Sequence, residues 1–166
     1  MNMQKLVLLL LLSICGFGFS QEKDQINTAL ENWHKAAADA NFDNYFNLMT
    51  SDAIFIGTDP TENWNLKDFK AFSKPYFDKG KAWSFSTLER NIFIQDDAKI
   101  AWFDELLDTQ MGICRGSGIM QKTNNGWKVK HYVLSIAIPN DNVKDITAMK
   151  KKFDTDLMKK LRAERN

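Results

Sequence analysis

Glu105, Arg115 and His131 stand within one strand-like stretch, residues 101–132, among apolar neighbours. An acid, a guanidinium and an imidazole brought together could bind a small polar or anionic ligand, or pass a proton between Glu105 and His131. In "AWFDELL" the alternation puts Ala101, Phe103, Glu105 and Leu107 on one face, and Trp102, Asp104 and Leu106 on the other. In "WKVKHYVLSIAI" Trp127, Val129, His131, Val133 and Ser135 share a face opposite Lys128 and Lys130. The lysines mark solvent, so His131 is expected inside. The side taken by Arg115 depends on the "TNNG" turn. Pairing of Lys122 with Trp127 sends it to the far face, whereas a turn one residue different, with a bulge, sets it beside His131. Gly116 and Gly118 would accommodate such a bulge. The competing reading is a structural ion pair with a core histidine. Buried charges need partners in either case.

A second group is "GTDPTENW", with Asp59, Glu62 and Trp64 just after a strand end, where loops often carry function. Alternatively, Asp59-Pro60 only makes a turn and Trp64 seals the core. Aromatic residues make up 12% of the chain, and Tyr45, Phe55, Trp64, Trp83 and Trp102 could line a site for a flat or apolar ligand. Ordinary core packing would account for them equally well. His34 follows Trp33 on a helix and is expected to face outward. The only histidines are 34 and 131, with no metal-ligand spacing between His or Cys residues, so no metal site is expected. A nucleophile elbow, a phosphate loop and a dinucleotide fingerprint are absent as well, and no cofactor is expected.

The elements that must position these residues follow from periodicity. Ile26, Leu30, Trp33, Ala37 and Ala40 recur at helical spacing, and a short helix is expected from Phe42. A strand at "AIFIG" precedes a third helix, N-capped by Asn65 with Asp68 three residues on. From Ala82 the sequence turns aromatic and β-branched. Strands are expected at "AWSFSTLERNIFI", "KIAWFDELLD", "ICRGSGIMQK" and "WKVKHYVLSIAI", broken by turns at Gln95-Asp96-Asp97 and "NNG" and stopped by Pro139. Helices followed by antiparallel strands define an α+β class, with a curved sheet of four or more strands around the N-terminal helices.

Residues 142–166 form a last helix, its stripe of Ile146, Met149, Phe153, Leu157 and Leu161 backed by lysines. It would pack on the sheet or on a second subunit, or touch an acidic lipid surface or another protein. Residues 1–20 have the pattern of a secretory signal: Lys5, an apolar run, then Gly18-Phe19-Ser20. Cleavage after Ser20 would leave a secreted or periplasmic chain, residues 21–141 forming the domain. The rival is a lipoprotein anchored at Cys15, where the bulky Ile14 is unfavourable. The chain carries 22 Lys+Arg against 21 Asp+Glu, and loss of Lys5 leaves these equal. That balance argues against nucleic acid as the main partner. Cys114 would then be a lone thiol, read as a small buried hydrophobe.

"NFDNYF", "IFIGTDPTENW", "AWFDE", "RGSG" and "GWKVKHYVLSIAIPND", in this order and spacing, resemble the SnoaL-like group of the nuclear transport factor 2-like superfamily over about residues 24–140. The resemblance implies a cone of three helices in a strongly bent sheet, a cavity at the wide end, and in many relatives a homodimer through the outer sheet face. It selects no reaction, since that superfamily hosts several enzymes as well as binding and association domains. The expectation is an exported, dimeric module that binds a small molecule, with Tyr45, Asp59, Trp64, Trp102, Glu105, Arg115 and His131 as candidate ligand residues. The alternatives are a cofactor-independent enzyme using Glu105 or Asp59 with His131, and an interaction scaffold.

Overall fold

The computed structural model describes residues 3–165, with side chains from Ser20 onward. The expected cleavage after Ser20 rests largely on side chains outside the described residues, as does the lipidation rival at Cys15. Among the described residues, no helix is long and apolar enough to cross a membrane.

The chain divides into one unit ending at Ile136 and a second beginning at Ala137. In the first, helix α1 (Met3–Ala38) is followed by α2 (Phe42–Asn47), strand β1 (Met49–Ile56), short β2 (Asn63–Asn65) and α3 (Leu66–Asp78). Four long strands come next: β3 (Phe85–Ile94), β4 (Ile100–Thr109), β5 (Gly112–Thr123) and β6 (Gly126–Ile136). They form one sheet in the order β2-β1-β6-β5-β4-β3. The expected antiparallel sheet is therefore mixed, because β1 runs parallel to β6. After α3 the chain enters the far edge as β3, and the β3–β6 meander steps back strand by strand until β6 lies beside β1.

Helix α1 buries Ile26, Leu30, Trp33 and Ala37 of the expected stripe, and the turn just beyond its end passes through Ala40, whose φ is +51°. Helix α3 starts where Asn65 Oδ1 accepts the Asp68 amide at 3.0 Å and Asn65 Nδ2 returns a bond to the Asp68 carboxylate at 2.8 Å. The inner sheet face contributes Ala101, Phe103, Glu105 and Leu107 from β4, and Cys114 and Met120 from β5. Between helices and sheet the aromatics interlock. Trp33 stacks on Tyr45 at 5.0 Å, Phe55 on Phe69 at 4.1 Å, and Tyr132 meets Trp33 edge-on at 4.9 Å.

In the second unit, α4 (Val143–Ala163) follows a single 3₁₀ turn at Asn140–Asn142. Its i,i+4 pairs Lys150–Asp154, Lys152–Asp156 and Lys160–Glu164 reinforce the helix from its own surface.

Candidate functional site

A β-bulge decides which side chains reach the interior. The β5–β6 hairpin does pair Lys122 with Trp127, but its register shifts between Ile119 and Met120, so that Met120 faces Val129 while Ile119 faces His131. Lys130 is the extra residue. Beyond it the phase of β6 reverses, and Tyr132 and Leu134 turn inward where His131 and Val133 were expected. His131 thus joins an outer-face row with Ile119, Trp102 and Phe93, each paired with the next across the sheet. Arg115, paired with Leu106 and Ser135, is exposed on the same outer face. The expectation that His131 and Trp102 face the cavity is therefore corrected. The question of Arg115 resolves to the outside.

Glu105 does point inward and is 1% exposed. Its partners are ones that sequence reasoning missed. Oε1 accepts from Tyr132 Oη at 2.9 Å and lies 2.9 Å from His34 Nε2. Oε2 accepts from Arg90 Nε at 2.9 Å, with Arg90 Nη2 at 2.7 Å. Arg90 stands directly opposite Glu105 in the β3–β4 ladder, an opposite-charge cross-strand pair. It also donates to Asn27 and Glu31 of α1, both at 2.7 Å, and to Thr87 at 2.8 Å. His34, expected outside, is 3% exposed. Its spacing already carried the signal: it lies four residues after Leu30 and three before Ala37, within the width of a core-facing stripe.

The glycines of "RGSG" make this network possible. A Cβ on Gly116 would lie 2.2 Å from Tyr132 Oη and 2.9 Å from Glu105 Oε1. One on Gly118 would lie 2.4 Å from the His131 carbonyl oxygen and 2.9 Å from the Phe103 ring. Bare backbone on β5 thus lets Tyr132 reach across a strand to Glu105. Burial would raise the Glu105 carboxyl, but the hydrogen bond and charge of His34 and the charge of Arg90 hold it below its ordinary value. Burial, followed by the Glu105 charge, pushes Tyr132 well up, so it remains a neutral donor.

A cavity of about 310 Å³ has none of His34, Arg90, Glu105 and Tyr132 in its lining. Its walls are Phe55, Phe69, Phe72, Tyr76, Trp83, Phe85, Met111 and Leu134, with Gly57, Thr58, Glu62 and Gln110 among its polar lining. Trp64 lies behind Phe72, stacked at 5.0 Å. Asp59 sits in the adjoining loop, where its carboxylate accepts from the Thr61 amide at 2.8 Å and from the Thr61 hydroxyl. Those bonds hold Asp59 below its ordinary range. Tyr45 lies deeper, 1% exposed, with its ring 5.4 Å from that of Trp83. Among the described residues, neither Tyr45 Oη nor Trp33 Nε1 has a partner at hydrogen-bond distance; burial pushes the Tyr45 phenol well up, and the neighbouring Trp83 opposes that shift. Among the described residues, no group of three or more His, Cys, Asp or Glu side chains could hold a metal ion.

The SnoaL-like domain family matches residues 26–139. No curated protein shows significant similarity to the chain. Among solved structures, the chain is similar to an NTF2-like protein of unknown function from Pseudomonas putida, with 13% identity, 75% of this chain and 92% of that one covered, and a TM-score of 0.60. A candidate aromatic ring hydroxylase from Novosphingobium aromaticivorans aligns at 14% identity over 72% and 91%, with a TM-score of 0.62. A candidate dehydratase from the NTF2-like family of Streptomyces avermitilis aligns at 11% over 70% and 96%, with a TM-score of 0.60. At these identities the similarity establishes the fold alone. The chain belongs to the SnoaL-like domain family and has its NTF2-like α+β fold, with N-terminal helices, a six-stranded mixed sheet and a C-terminal helix.

Proposed function

We propose that the protein binds a small ligand with an aromatic or apolar body in the cavity between α3, the loop at Gly57 and the β4–β5 turn. The observation that carries this reading is the cavity itself: about 310 Å³, walled by aromatic rings from α3, β1, β3 and the residues before β3. Pockets of this kind supply affinity from apolar burial and orientation from a few polar groups, here Thr58, Glu62 and Gln110. Proton-transfer chemistry at Glu105 is a weaker reading. Both carboxylate oxygens are taken up by His34, Tyr132 and Arg90, and the group does not line the cavity.

Export through the run before Gly18-Phe19-Ser20 is part of the same proposal. So is dimerisation through the outer sheet face, which is supported by Phe93, Trp102, Ile113 and Ile119, each more than a third exposed. A second reading, an association scaffold, is favoured by the filled interior behind Trp83 and Phe69.

The binding reading is tested by melting shifts with indole and 2-phenylethanol up to millimolar concentration. Stabilisation should rise with concentration as binding to the native state requires, and should be lost in Phe72→Ala. No shift with either compound would favour the scaffold.

A further inference from the structure

The cavity has one charged wall residue, Glu62, and no lysine or arginine among its lining. Glu62 is half-buried and forms no ion pair among the described residues. Its carboxylate is nonetheless held in place. Oε2 accepts the Asp59 amide at 3.2 Å, and the loop is closed by Gly57 N donating to Glu62 O at 3.1 Å and Glu62 N donating to Asp59 O at 2.9 Å. A Cβ on Gly57 would lie 2.1 Å from Glu62 Oε2, so the glycine is what lets the carboxylate lie across the strand end. A half-buried carboxylate with no ion-pair partner among the described residues therefore shares the cavity lining with Phe69, Phe72, Tyr76 and Trp83. Aromatic faces carry negative potential and attract cations, and a carboxylate accepts charge-assisted hydrogen bonds from an ammonium. An anionic ligand would meet repulsion from Glu62 with no compensating cation.

We infer that the ligand is a small organic cation, an ammonium group on an aromatic or alkyl body. The Glu62 carboxylate would take the charge, and the rings of Phe72, Tyr76 and Trp83 would take the body. This inference rests on the proposed binding role of the same cavity, and the test separates the two.

Titration calorimetry compares 2-phenylethylammonium, 2-phenylethanol and 3-phenylpropionate, which share a phenyl body and differ in charge. The ammonium should bind about tenfold or more tightly than the alcohol, the scale of one charge-assisted contact, and the propionate should bind most weakly. Glu62→Gln should bring the ammonium to within about threefold of the alcohol's affinity for the same variant, while Phe72→Ala weakens both. If the alcohol or the propionate binds as tightly as the ammonium, or if Glu62→Gln preserves the preference, the cation assignment falls and the cavity reading stands. If none of the three binds at millimolar concentration, both fall.

Discussion

Replacing Glu105 with glutamine changes one atom of a buried network and tests whether that network holds the sheet to α1. The amide keeps one acceptor oxygen and puts an NH2 where four donors now converge: His34, Tyr132 and two guanidinium nitrogens of Arg90. At least one donor pair is left facing a donor. Removing one member of a buried ion pair costs about 3–5 kcal/mol. Arg90 keeps Asn27, Glu31 and Thr87 as partners, so the lower end applies, about 3 kcal/mol. For a domain of this size that lowers Tm by roughly 10 °C. The pH dependence has a definite sign. The folded carboxyl lies below its ordinary 4.5, so its contribution is complete above the unfolded pKa and is lost as pH falls through the folded one. Urea melts of both proteins from pH 3 to 8 should therefore show a constant gap near neutrality, closing only under acid conditions below pH 4.5. A loss under about 1 kcal/mol at pH 7, or a gap already closing at pH 6, would refute this account of the network.

Gly116→Ala should destabilise by about 1–3 kcal/mol in the same melts, because its methyl displaces the Tyr132 hydroxyl from Glu105. Gly118→Ala should cost more, since its methyl meets a backbone carbonyl that cannot swing aside; the reverse order would count against the close-approach argument. Tyr45→Phe should be neutral or slightly stabilising, because among the described residues the buried hydroxyl it removes has no partner at hydrogen-bond distance, Trp83 being a polar neighbour. A loss above about 1 kcal/mol would reveal a bond to that hydroxyl. Trp102→Ser should leave the melting of the monomer within about 0.5 kcal/mol, its side chain being outside the core. In sedimentation equilibrium the wild type should dimerise if the outer sheet face is the proposed interface, and the same change should leave it monomeric; a monomeric wild type would remove the proposed interface, and an unchanged dimer would place it elsewhere.

The elements were legible because each rests on local pattern. The stripe of Ile26, Leu30, Trp33 and Ala37 specifies a helix face wherever that helix packs, and Asn65 with Asp68 marks the start of α3 by chemistry confined to four residues. The alternation of β4 was readable for the same reason, since no bulge lies between Ala101 and Leu107 in its pairing with β5. Such signals do not depend on what lies across the fold. The start of β1 at Met49 was hidden, because Phe42, Tyr45, Phe46 and Met49 continue a helical spacing into a strand. Only the pairing of Met49 with Val129, far along the chain, gives that residue its extended backbone.

The site was misplaced by one residue of backbone. Alternation assigns His131 and Tyr132 to opposite faces but does not say which face is which after Lys130, and the lysines at 128 and 130 bias the choice the wrong way. Two features of the chain favour the observed phase. The bare Cα of Gly116 leaves room above β5 beside Glu105, where a Cβ would lie 2.2 Å from the Tyr132 hydroxyl. With Tyr132 inward, its hydroxyl passes over Gly116 and satisfies a carboxylate that would otherwise be buried with fewer donors. The bulge is thus stabilised by glycines on the neighbouring strand and an acid on the strand beyond it. That dependence crosses three strands, and no window along β6 alone contains it. It also explains why Glu105, correctly expected inside, pairs with Arg90 and His34 rather than with Arg115 and His131. The β3–β4 register sets Arg90 directly opposite Glu105, while the β4–β5 register sets Gly116 on its other side and sends Arg115 to the far face with Leu106.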